Sequence, residues 1–247
     1  GQPNKGLAAM FVMMNAARIG VGMQSLGLTE VAYQNALAYA KERIQSRSLS
    51  GVKNPSQPAD GILVHPDVRK MLLTAKAYAE GGRALNLYCA LLIDQELNHP
   101  EATVRQEAAE LVALLTPIVK AFITDNGWIA TSHCLQVLGG HGFIREWGME
   151  QNVRDTRIAC IYEGTTEIQS LDLLGRKVLG SQGKMLANFS KVIYQFCEEN
   201  KDNDAMGEFI RPLARLNKEW GDLTARIGMQ ATENPDAVGA AAVDYMY

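Results

Sequence analysis

The chain has 247 residues, of which 47% are hydrophobic and 21% charged, and its formal net charge is −3. This length allows one large domain or two small ones with a sizeable core. Charges of both signs are scattered without a Lys/Arg block, which argues against a nucleic-acid partner, and no apolar run reaches membrane-spanning length. With only 8 Pro beside abundant Ala, Leu and Met, the composition predicts an all-α protein.

The first predicted helix covers Leu7 to about Leu49, as one long helix or a closely joined pair. Leu7, Met10, Phe11 and Met14 recur with the spacing i, i+3, i+4, i+7, which is typical of an apolar stripe on one helix face. A methionine-rich stripe on the same helix consists of Met10, Met13, Met14 and Met23. We interpret it as part of the core, with the lining of an acyl-binding tunnel as the alternative.

Glycine and proline mark the next boundaries. The composition of Gly51–Gly61 predicts a loop, because two prolines stand between the flanking glycines. A second helix runs from Pro66, which suits a first-turn position, to about Leu97. A third covers Glu101 to Leu138 and is expected to kink or restart at Pro117.

The rest of the chain is predicted to form shorter helices, at Glu150–Arg157, Glu167–Leu179, Lys184–Cys197, Ala205–Met229 and from Pro235 onward. A joint at Gly180–Gly183 divides the chain into a helical domain at 1–180 and an appended helical bundle segment at 181–247. Because the chain starts without an initiator methionine and stops without a helix cap, both ends are interpreted as cut.

Four cysteines are far apart in the sequence and form no C-x-x-C pair: Cys89, Cys134, Cys160 and Cys197. An even number allows disulfides, but buried thiols in a reducing compartment are the preferred interpretation. His133 and His141 flank a di-glycine turn, and ligands on different sides of a turn do not make a tight metal site. No metal site is therefore predicted.

Glu163 is the candidate catalytic residue. It follows the apolar run Ile158–Tyr162 and precedes Gly164. A carboxylate at the rim of an apolar wall has the environment of a general base. The alternative is an exposed residue near a helix start, where the helix dipole favours its charge. The di-glycine Gly139–Gly140, taken alone, is more typical of a helix C-cap and turn.

Taken together, several segments resemble the acyl-CoA dehydrogenase family. In chain order they are Tyr39-Ala40-Lys41-Glu42-Arg43, Gln136-Val137-Leu138-Gly139-Gly140-His141-Gly142-Phe143, Arg154-Asp155 and Ile161-Tyr162-Glu163-Gly164-Thr165-Thr166-Glu167-Ile168-Gln169. The resemblance covers about Lys5 to Leu179 and implies the family's C-terminal four-helix bundle. The long Gly51–Gly61 loop and the helical tail resemble the larger subfamily that includes 3-methylmercaptopropionyl-CoA dehydrogenases.

The resemblance implies a reaction and the residues that carry it out. Glu163 matches the base that removes a proton α to the thioester while a β-hydride passes to FAD, which gives a trans-2-enoyl-CoA. The residues matched to the substrate side are Asn15, Arg18, Tyr162 and Gly164. The residues matched to FAD contacts are Arg43, Gln45, Gln136, Val137, Leu138, Gly139, Gly140, Thr165 and Glu167. Of these, Arg43 and Gln45 match positions that reach the pyrophosphate of FAD in a neighbouring subunit.

The resemblance also implies partners: an acyl-CoA substrate, an electron-transfer flavoprotein as acceptor, and further copies in a homodimer or homotetramer. The implied location is the bacterial cytoplasm or, in a eukaryote, the mitochondrial matrix. Since the family's N-terminal helical domain and middle β-domain are not in this sequence, the chain alone is expected to be inactive and to bind FAD weakly or not at all. An acyl-CoA oxidase is the nearest alternative, followed by a non-catalytic helical assembly or nucleic-acid-associated member of the same fold.

Overall fold

The computed structural model describes residues 2–247, without the side chains of residues 8 and 12. The described chain is all-α, as predicted, and its helices are α1 (Gly6–Glu42), α2 (Pro66–Asn98), α3 (Ala102–Val137), α4 (Met149–Ala159), α5 (Thr166–Leu171), α6 (Lys184–Asn200), α7 (Gly207–Glu233) and α8 (Asp236–Met246). A π-helical segment, Asp172–Leu179, follows α5 directly. Short 3-10 turns occur at Ile62–Val64, Gly139–Phe143, Arg145–Trp147 and Asp204–Met206.

The first helix ends earlier than predicted, at Glu42 rather than near Leu49. Arg43 leaves the helix with φ −69° and ψ 124°, while its N–H still donates to the Tyr39 carbonyl. The chain then forms an isolated antiparallel bridge between Ile44 and Gly61. The apolar residues after Glu42 therefore belong to a folded loop and not to the helix.

Asp60 organises that loop. Its carboxylate has no exposed surface and accepts hydrogen bonds from the backbone N–H groups of Ser48, Lys53 and Asn54, at 2.8–3.0 Å. The Arg47 guanidinium lies 3.3 Å from the same carboxylate. These donors, with Ser48 the largest contributor, lower the pKa of Asp60 to about 2. A buried charge with four donors gives the loop a defined conformation.

The third helix continues through Pro117, so the predicted restart at that position is wrong. Proline has no N–H to donate to the carbonyl one turn earlier. The carbonyl that loses this donor is that of Ala113, while the neighbouring Val112 carbonyl accepts a hydrogen bond from the Thr116 hydroxyl at 2.7 Å. A helix flanked by tertiary packing over 36 residues tolerates one missing backbone bond.

The chain divides into two compact units by its internal contacts. The first, here called the N-unit, contains the residues up to Tyr88 together with Val119–Thr165, and the second, the C-unit, contains Cys89–Ile118 with Thr166–Tyr247. Both α2 and α3 contribute residues to each unit. The sequence predicts a domain boundary at residue 180, which differs from the boundaries of these two units and stays a prediction.

Alanine is the main component of the N-unit core. Ala32, Ala36 and Ala40 repeat every fourth residue on α1 and are fully buried, so they form one packed stripe. The other buried members of this core are Ile62, Met71, Leu72, Ala75, Ala130, Cys134, Val137, Leu138 and Met149. Small side chains on one helix allow its neighbours to approach closely.

Large apolar side chains form the core of the C-unit. Its buried members are Leu114, Leu173, Leu174, Val178, Leu186, Ile227, Ala242 and Tyr245. The buried Tyr245 hydroxyl is satisfied by the Thr224 hydroxyl at 2.7 Å. At the edge of the unit, Glu110 of α3 holds α6 through Lys184 at 2.6 Å and Asn188 at 2.7 Å.

Two expectations about apolar residues have opposite outcomes. Met10, Met13 and Met23 of the methionine-rich stripe on α1 are exposed, so its interpretation as core is wrong for these residues, although the helix itself is confirmed. Leu7 and Phe11 are exposed as well. The four cysteines are buried free thiols, as predicted. Burial raises the pKa of Cys134 to about 12 and that of Cys89 to about 11, so both remain protonated near neutral pH.

Candidate active site

Glu163 lies in the turn between α4 and α5, within the N-unit. Its φ is +57°, and that of Gly164 is +95°. A left-handed backbone at a residue with a long side chain is uncommon and costs of order 1–2 kcal/mol, and such residues cluster at functional sites. Gly164 has the larger φ, and because glycine lacks a Cβ it adopts this backbone conformation without the steric cost. The two residues together turn the chain sharply and fix the direction of the Glu163 side chain.

The carboxylate of Glu163 is partly withdrawn from water. The residue is half-buried, and its Oε2 atom is shielded from solvent. The preceding residue, Tyr162, donates a short hydrogen bond from its hydroxyl to Oε1 of Gln24 on α1. The turn that carries Glu163 is therefore attached to the first helix.

Arg18 and Asn15, predicted from the resemblance to lie on the substrate side, are one turn apart on α1. Arg18 is buried, and its Nη1 donates to Oδ1 of Asn15 at 3.4 Å. Asn15 itself is exposed. The structure thus brings this pair together at the rim of a buried region, with the amide toward solvent and the guanidinium inside.

Lys120 of α3 is the buried cation that the sequence analysis missed. Its side chain has no exposed surface, and Nζ has no hydrogen-bond partner in the part of the chain that the structure describes. Burial lowers the pKa of Lys120, and the Arg18 charge adds to this. The charges of Cys160, Asp125 and Glu163 act in the opposite direction. Arg18, Lys120 and Glu163 therefore belong to one electrostatic neighbourhood.

A cavity of about 640 Å³ lies at the other end of the N-unit. Its polar rim contains Arg43, Gln45 and His65, and its apolar floor contains Ile62 and Met71. The turn after α3 supplies the remaining wall, Gln136, Val137, Leu138, Gly139, Gly140 and His141. The volume lies in the range of small-molecule sites. The structure thus brings together two sets of residues that the resemblance matched to FAD, one just after α1 and one at the end of α3 and in the turn that follows it.

A group of three rings supports one wall of this cavity. The Tyr39 hydroxyl lies 3.0 Å from Nδ1 of His141. The His141 ring stacks on Trp147 with centroids 5.0 Å apart and an interplanar angle of 9°, and Tyr39 meets Trp147 edge-on at 5.2 Å. Offset or edge-on ring pairs of this kind stabilise by about 0.5–1.5 kcal/mol. The turn is therefore held by packing as well as by its glycines.

The turn also depends on Gly142. A Cβ at this position would meet the backbone carbonyl oxygen of Leu135 within contact distance. Because that neighbour is backbone and cannot rotate away, only glycine fits without a shift of the turn. Gly139 adopts φ +58° in the same segment. In this segment Gly142 is thus required by close approach and Gly139 is favoured by backbone conformation, whereas a Cβ at Gly140 would meet nothing within 4 Å.

Thr165 and Glu167 do not line this cavity. Thr165 is half-buried at the end of the N-unit, and Glu167 is exposed on α5 in the C-unit. Their assignment to FAD stays a prediction. Of the residues that the sequence analysis missed, Lys120 carried a signal, since it is a lone charge in the apolar stretch Thr116–Thr124.

Two family models match separate stretches of this chain. Residues 4–179 match the family described as acyl-CoA dehydrogenase, C-terminal domain, and residues 189–247 match the one described as acetyl-CoA dehydrogenase C-terminal like. The chain belongs to the acyl-CoA dehydrogenase family. The two matches end and begin on either side of the predicted joint at Gly180–Gly183.

Two curated relatives show how much of a family member is present. The chain is 47% identical over 193 residues to a 3-methylmercaptopropionyl-CoA dehydrogenase of Ruegeria pomeroyi, across 78% of this chain and 32% of that protein. It is 38% identical over 204 residues to a broad-specificity linear acyl-CoA dehydrogenase of Mycobacterium tuberculosis, across 82% and 33%. The chain therefore spans about a third of the length of these relatives. The first of them agrees with the predicted subfamily.

A solved structure supports the fold over the whole chain. Caenorhabditis elegans ACDH-11, solved in complex with C11-CoA, superposes with a TM-score of 0.83 at 22% identity, covering 100% of this chain and 39% of that one. At this identity the likeness establishes the fold. The helices in both matched stretches of this chain therefore have counterparts in that solved structure.

None of the described helices combines the length and the apolar character that crossing a bilayer requires. Within residues 2–247, His, Cys, Asp and Glu side chains form no group of three suited to a metal ion.

Proposed function

We propose that this chain supplies the catalytic base and part of the flavin site of an FAD-dependent acyl-CoA dehydrogenase, an oxidoreductase acting on a CH–CH bond. The observation that carries the proposal is the position of Glu163. In a member of this family, it is a partly desolvated carboxylate, fixed by a left-handed turn that is bonded to α1. Strained, desolvated carboxylates are suited to proton abstraction.

The step assigned to Glu163 is removal of the proton α to the acyl-CoA thioester. The C–H bond breaks, its proton moves to a carboxylate oxygen of Glu163, and the product is a trans-2-enoyl-CoA. FAD, when bound, supplies the acceptor for the β-hydride.

The residues beside the base have supporting roles in this proposal. Gly164 lacks a Cβ and lets the thioester approach the backbone next to Glu163. Tyr162 fixes the turn through Gln24. Arg18 and Asn15 form the α1 side of the substrate site, where the guanidinium orients the base from inside.

The cavity in the N-unit fits part of a dinucleotide. Arg43 offers a guanidinium, which binds phosphate through two N–H groups at once. Gln45 and Gln136 offer amides, and the turn at Gly139 and Gly140 allows close backbone approach. These residues would hold the pyrophosphate and adenosine portions of FAD, with Thr165 and Glu167 as further contacts nearer the base.

The wider assignments follow from family membership. We propose an acyl-CoA substrate, an electron-transfer flavoprotein as acceptor and a homodimer or homotetramer, in which the Arg43 site receives FAD from a neighbouring copy. We also propose that the pocket is completed by polypeptide outside these 247 residues. On that basis the chain alone is inactive and binds FAD weakly or not at all, which an absorbance spectrum with stoichiometric flavin would contradict.

The test replaces the base in the intact protein. Glu163→Gln keeps the size and polarity of the side chain but cannot accept the α-proton. We expect anaerobic bleaching of bound FAD by a panel of acyl-CoA thioesters to fall by at least about 10³-fold, with the flavin content unchanged. Glu80→Gln, an exposed substitution on α2, is the control and should bleach normally.

Three outcomes separate the alternatives. Bleaching in Glu163→Gln at the wild-type rate removes Glu163 from the mechanism. Absence of bleaching in the wild type with every thioester rejects the dehydrogenase function. Stoichiometric peroxide in air, with slow transfer to an electron-transfer flavoprotein, assigns the protein to the oxidases instead.

A further inference from the structure

Gln45 is held by its backbone on both sides. Its N–H donates to the carbonyl oxygen of Asp60 at 2.9 Å, and its own carbonyl oxygen lies 3.1 Å from Nε2 of His65. A carbonyl oxygen only accepts, so His65 donates this bond through an Nε2–H group. Because both backbone groups of Gln45 are occupied, the direction in which its side chain leaves the backbone is fixed. Gln45 is one of the residues that line the cavity assigned above to FAD.

The neighbouring cavity residue, Arg43, is held in a different way. Its N–H donates to the Tyr39 carbonyl at 2.8 Å, and its carbonyl accepts a hydrogen bond from the Ile62 N–H at 2.8 Å. The first of these bonds attaches Arg43 directly to the end of a 37-residue helix. Gln45 lies beyond that helix, so its position depends on the loop formed by residues 46–60.

Asp60 connects this loop to Gln45. Its backbone N–H donates to the Ser46 carbonyl at 2.9 Å, next to the bond that its own carbonyl accepts from Gln45. Its fully buried carboxylate accepts hydrogen bonds from three backbone N–H groups of the loop and from the Arg47 guanidinium. The carboxylate therefore fixes the loop, and the backbone of the same residue fixes Gln45 to it.

Arg47 has the charge for a phosphate contact, but its guanidinium is used inside the loop. Nη1 donates to the Asn54 carbonyl at 2.9 Å and to Oδ1 of Asp60 at 3.3 Å, while Nη2 donates to the Gln57 carbonyl at 2.5 Å. Arg47 is not among the residues that line the cavity. Its charge compensates the buried carboxylate, because a buried charge without a partner is strongly unfavourable.

We propose that Asp60 is a positioning residue for FAD that acts through Gln45: its buried carboxylate fixes the loop, and the loop holds Gln45 at the cavity before the cofactor binds. This inference rests on the proposed function, which assigns the cavity to FAD. A binding group that is already ordered loses less conformational entropy when the ligand arrives. Without the carboxylate the loop is free, and FAD itself has to order Gln45.

The sign of the expected change separates positioning from charge. The pyrophosphate of FAD is negatively charged, so removal of a carboxylate charge beside its site would by itself tighten binding. Loss of positioning weakens binding. Asp60→Asn therefore moves the affinity in opposite directions under the two explanations.

The test is the affinity of the intact protein for FAD, measured by flavin fluorescence after the cofactor is removed and returned stepwise. Asp60→Asn keeps the size of the side chain but removes its charge, and we expect the Kd for FAD to rise by about 5- to 20-fold. Asp94→Asn, the same substitution at an exposed position on α2, is the control and should leave the Kd unchanged. Arg47→Lys keeps the positive charge but loses the fork of N–H groups, and repeats the test if Asp60→Asn does not fold.

A double-mutant cycle tests whether Asp60 acts through Gln45. Gln45→Ala removes the amide assigned to FAD and should raise the Kd as well. In the Gln45→Ala background, Asp60→Asn should change the Kd by about two-fold or less, because the group that it positions is gone. A purely structural role of Asp60 would instead give the same fold-change in both backgrounds.

A second readout does not require the cofactor. Residue-resolved amide hydrogen exchange of the FAD-free intact protein reports how firmly each backbone N–H is held. We expect the Gln45 N–H to exchange faster in Asp60→Asn than in wild type. The Arg43 N–H, which is bonded to α1, should keep its wild-type rate and serves as the internal control.

The outcomes distinguish this inference from the proposed function. An FAD affinity in folded Asp60→Asn or Arg47→Lys that equals or exceeds that of wild type overturns the role of Asp60, as do equal fold-changes in the two backgrounds. A wild-type protein that binds no FAD overturns the proposed cofactor site. The exchange rate of the Gln45 N–H then still decides whether Asp60 holds this residue, since an unchanged rate rejects it. Tight FAD binding without bleaching by any acyl-CoA overturns the proposed reaction alone.

Discussion

The two units of this chain have cores of different construction. In the N-unit, alanines on α1 pack against α2 and α3, and glycines allow the helices to approach to backbone contact. In the C-unit, leucine, isoleucine and an aromatic group around Trp220 fill a wider space between α6, α7 and α8. The N-unit core therefore depends on small residues that let helices pack closely, and the C-unit core depends on large side chains that fill the space between helices.

This difference coincides with where chemistry is proposed. The N-unit contains Glu163 and the cavity near Arg43, both of which need fixed backbone positions. Close helix packing fixes the backbone, because interiors at this density transmit small changes in volume. The C-unit carries buried polar groups that are satisfied locally, such as Tyr245 with Thr224. We therefore expect added side-chain volume to destabilise mainly the N-unit core and removed side-chain volume to destabilise mainly the C-unit core.

The largest expected effect is a truncation in the C-unit. Leu174 is fully buried in the π-helical segment, and Leu174→Ala removes its contacts and leaves a cavity. We expect a loss of about 2–5 kcal/mol in unfolding free energy, measured by urea unfolding. Amide exchange in α6 and α7 should accelerate with it. Leu216→Ala on α7, an exposed position, is the control and should stay within about 0.5 kcal/mol of wild type. Equal losses in both variants would contradict the importance of large side chains in this core.

An added methyl group in the N-unit is the second test. Gly22→Ala places a Cβ 3.0–3.2 Å from Val119, whereas Gly20→Ala, two residues earlier on the same helix, meets nothing within 4 Å. Both gain about 1 kcal/mol of helix propensity over glycine, so this term cancels between them. We expect Gly22→Ala to be less stable than Gly20→Ala by about 1–3 kcal/mol, measured by urea unfolding. Equal stabilities would show that α1 and α3 can separate at no cost.

The smallest expected effect concerns the loop around Asp60 and appears in acid. Because the pKa of this carboxyl is lowered from 3.8 to about 2 in the folded chain, its stabilisation is present above pH ~4 and is lost as the pH falls toward 2. Asp60→Asn removes this contribution at every pH. Amide exchange in residues 44–60 should be faster in the variant at neutral pH and should differ less from wild type near pH 2. Asp94→Asn, at an exposed site on α2, should match wild type throughout, and a loop unaffected by Asp60→Asn would refute the assignment.

The sequence alone was sufficient for the helices and for the ordered motifs. Pro66 starts α2 where its missing N–H has no cost, and Gly139 and Gly142 mark a turn that only glycine fits. These are local effects, since they depend on the conformation of one residue or on the next few. Glu163 could likewise be identified as a candidate base from its immediate neighbours, because it follows the apolar run that ends at Tyr162 and precedes Gly164.

Only the tertiary structure decided which residues meet and which face solvent. Leu7, Met10 and Phe11 have the spacing of a buried helix face, yet they are exposed, because the period of a pattern defines a helix face and not what packs against it. Tyr162 and Gln24 are far apart in the sequence, and only the fold brings the Tyr162 hydroxyl to the Gln24 amide on α1. The sequence therefore determined the candidate base, and the tertiary structure decided which helix holds the turn that carries it.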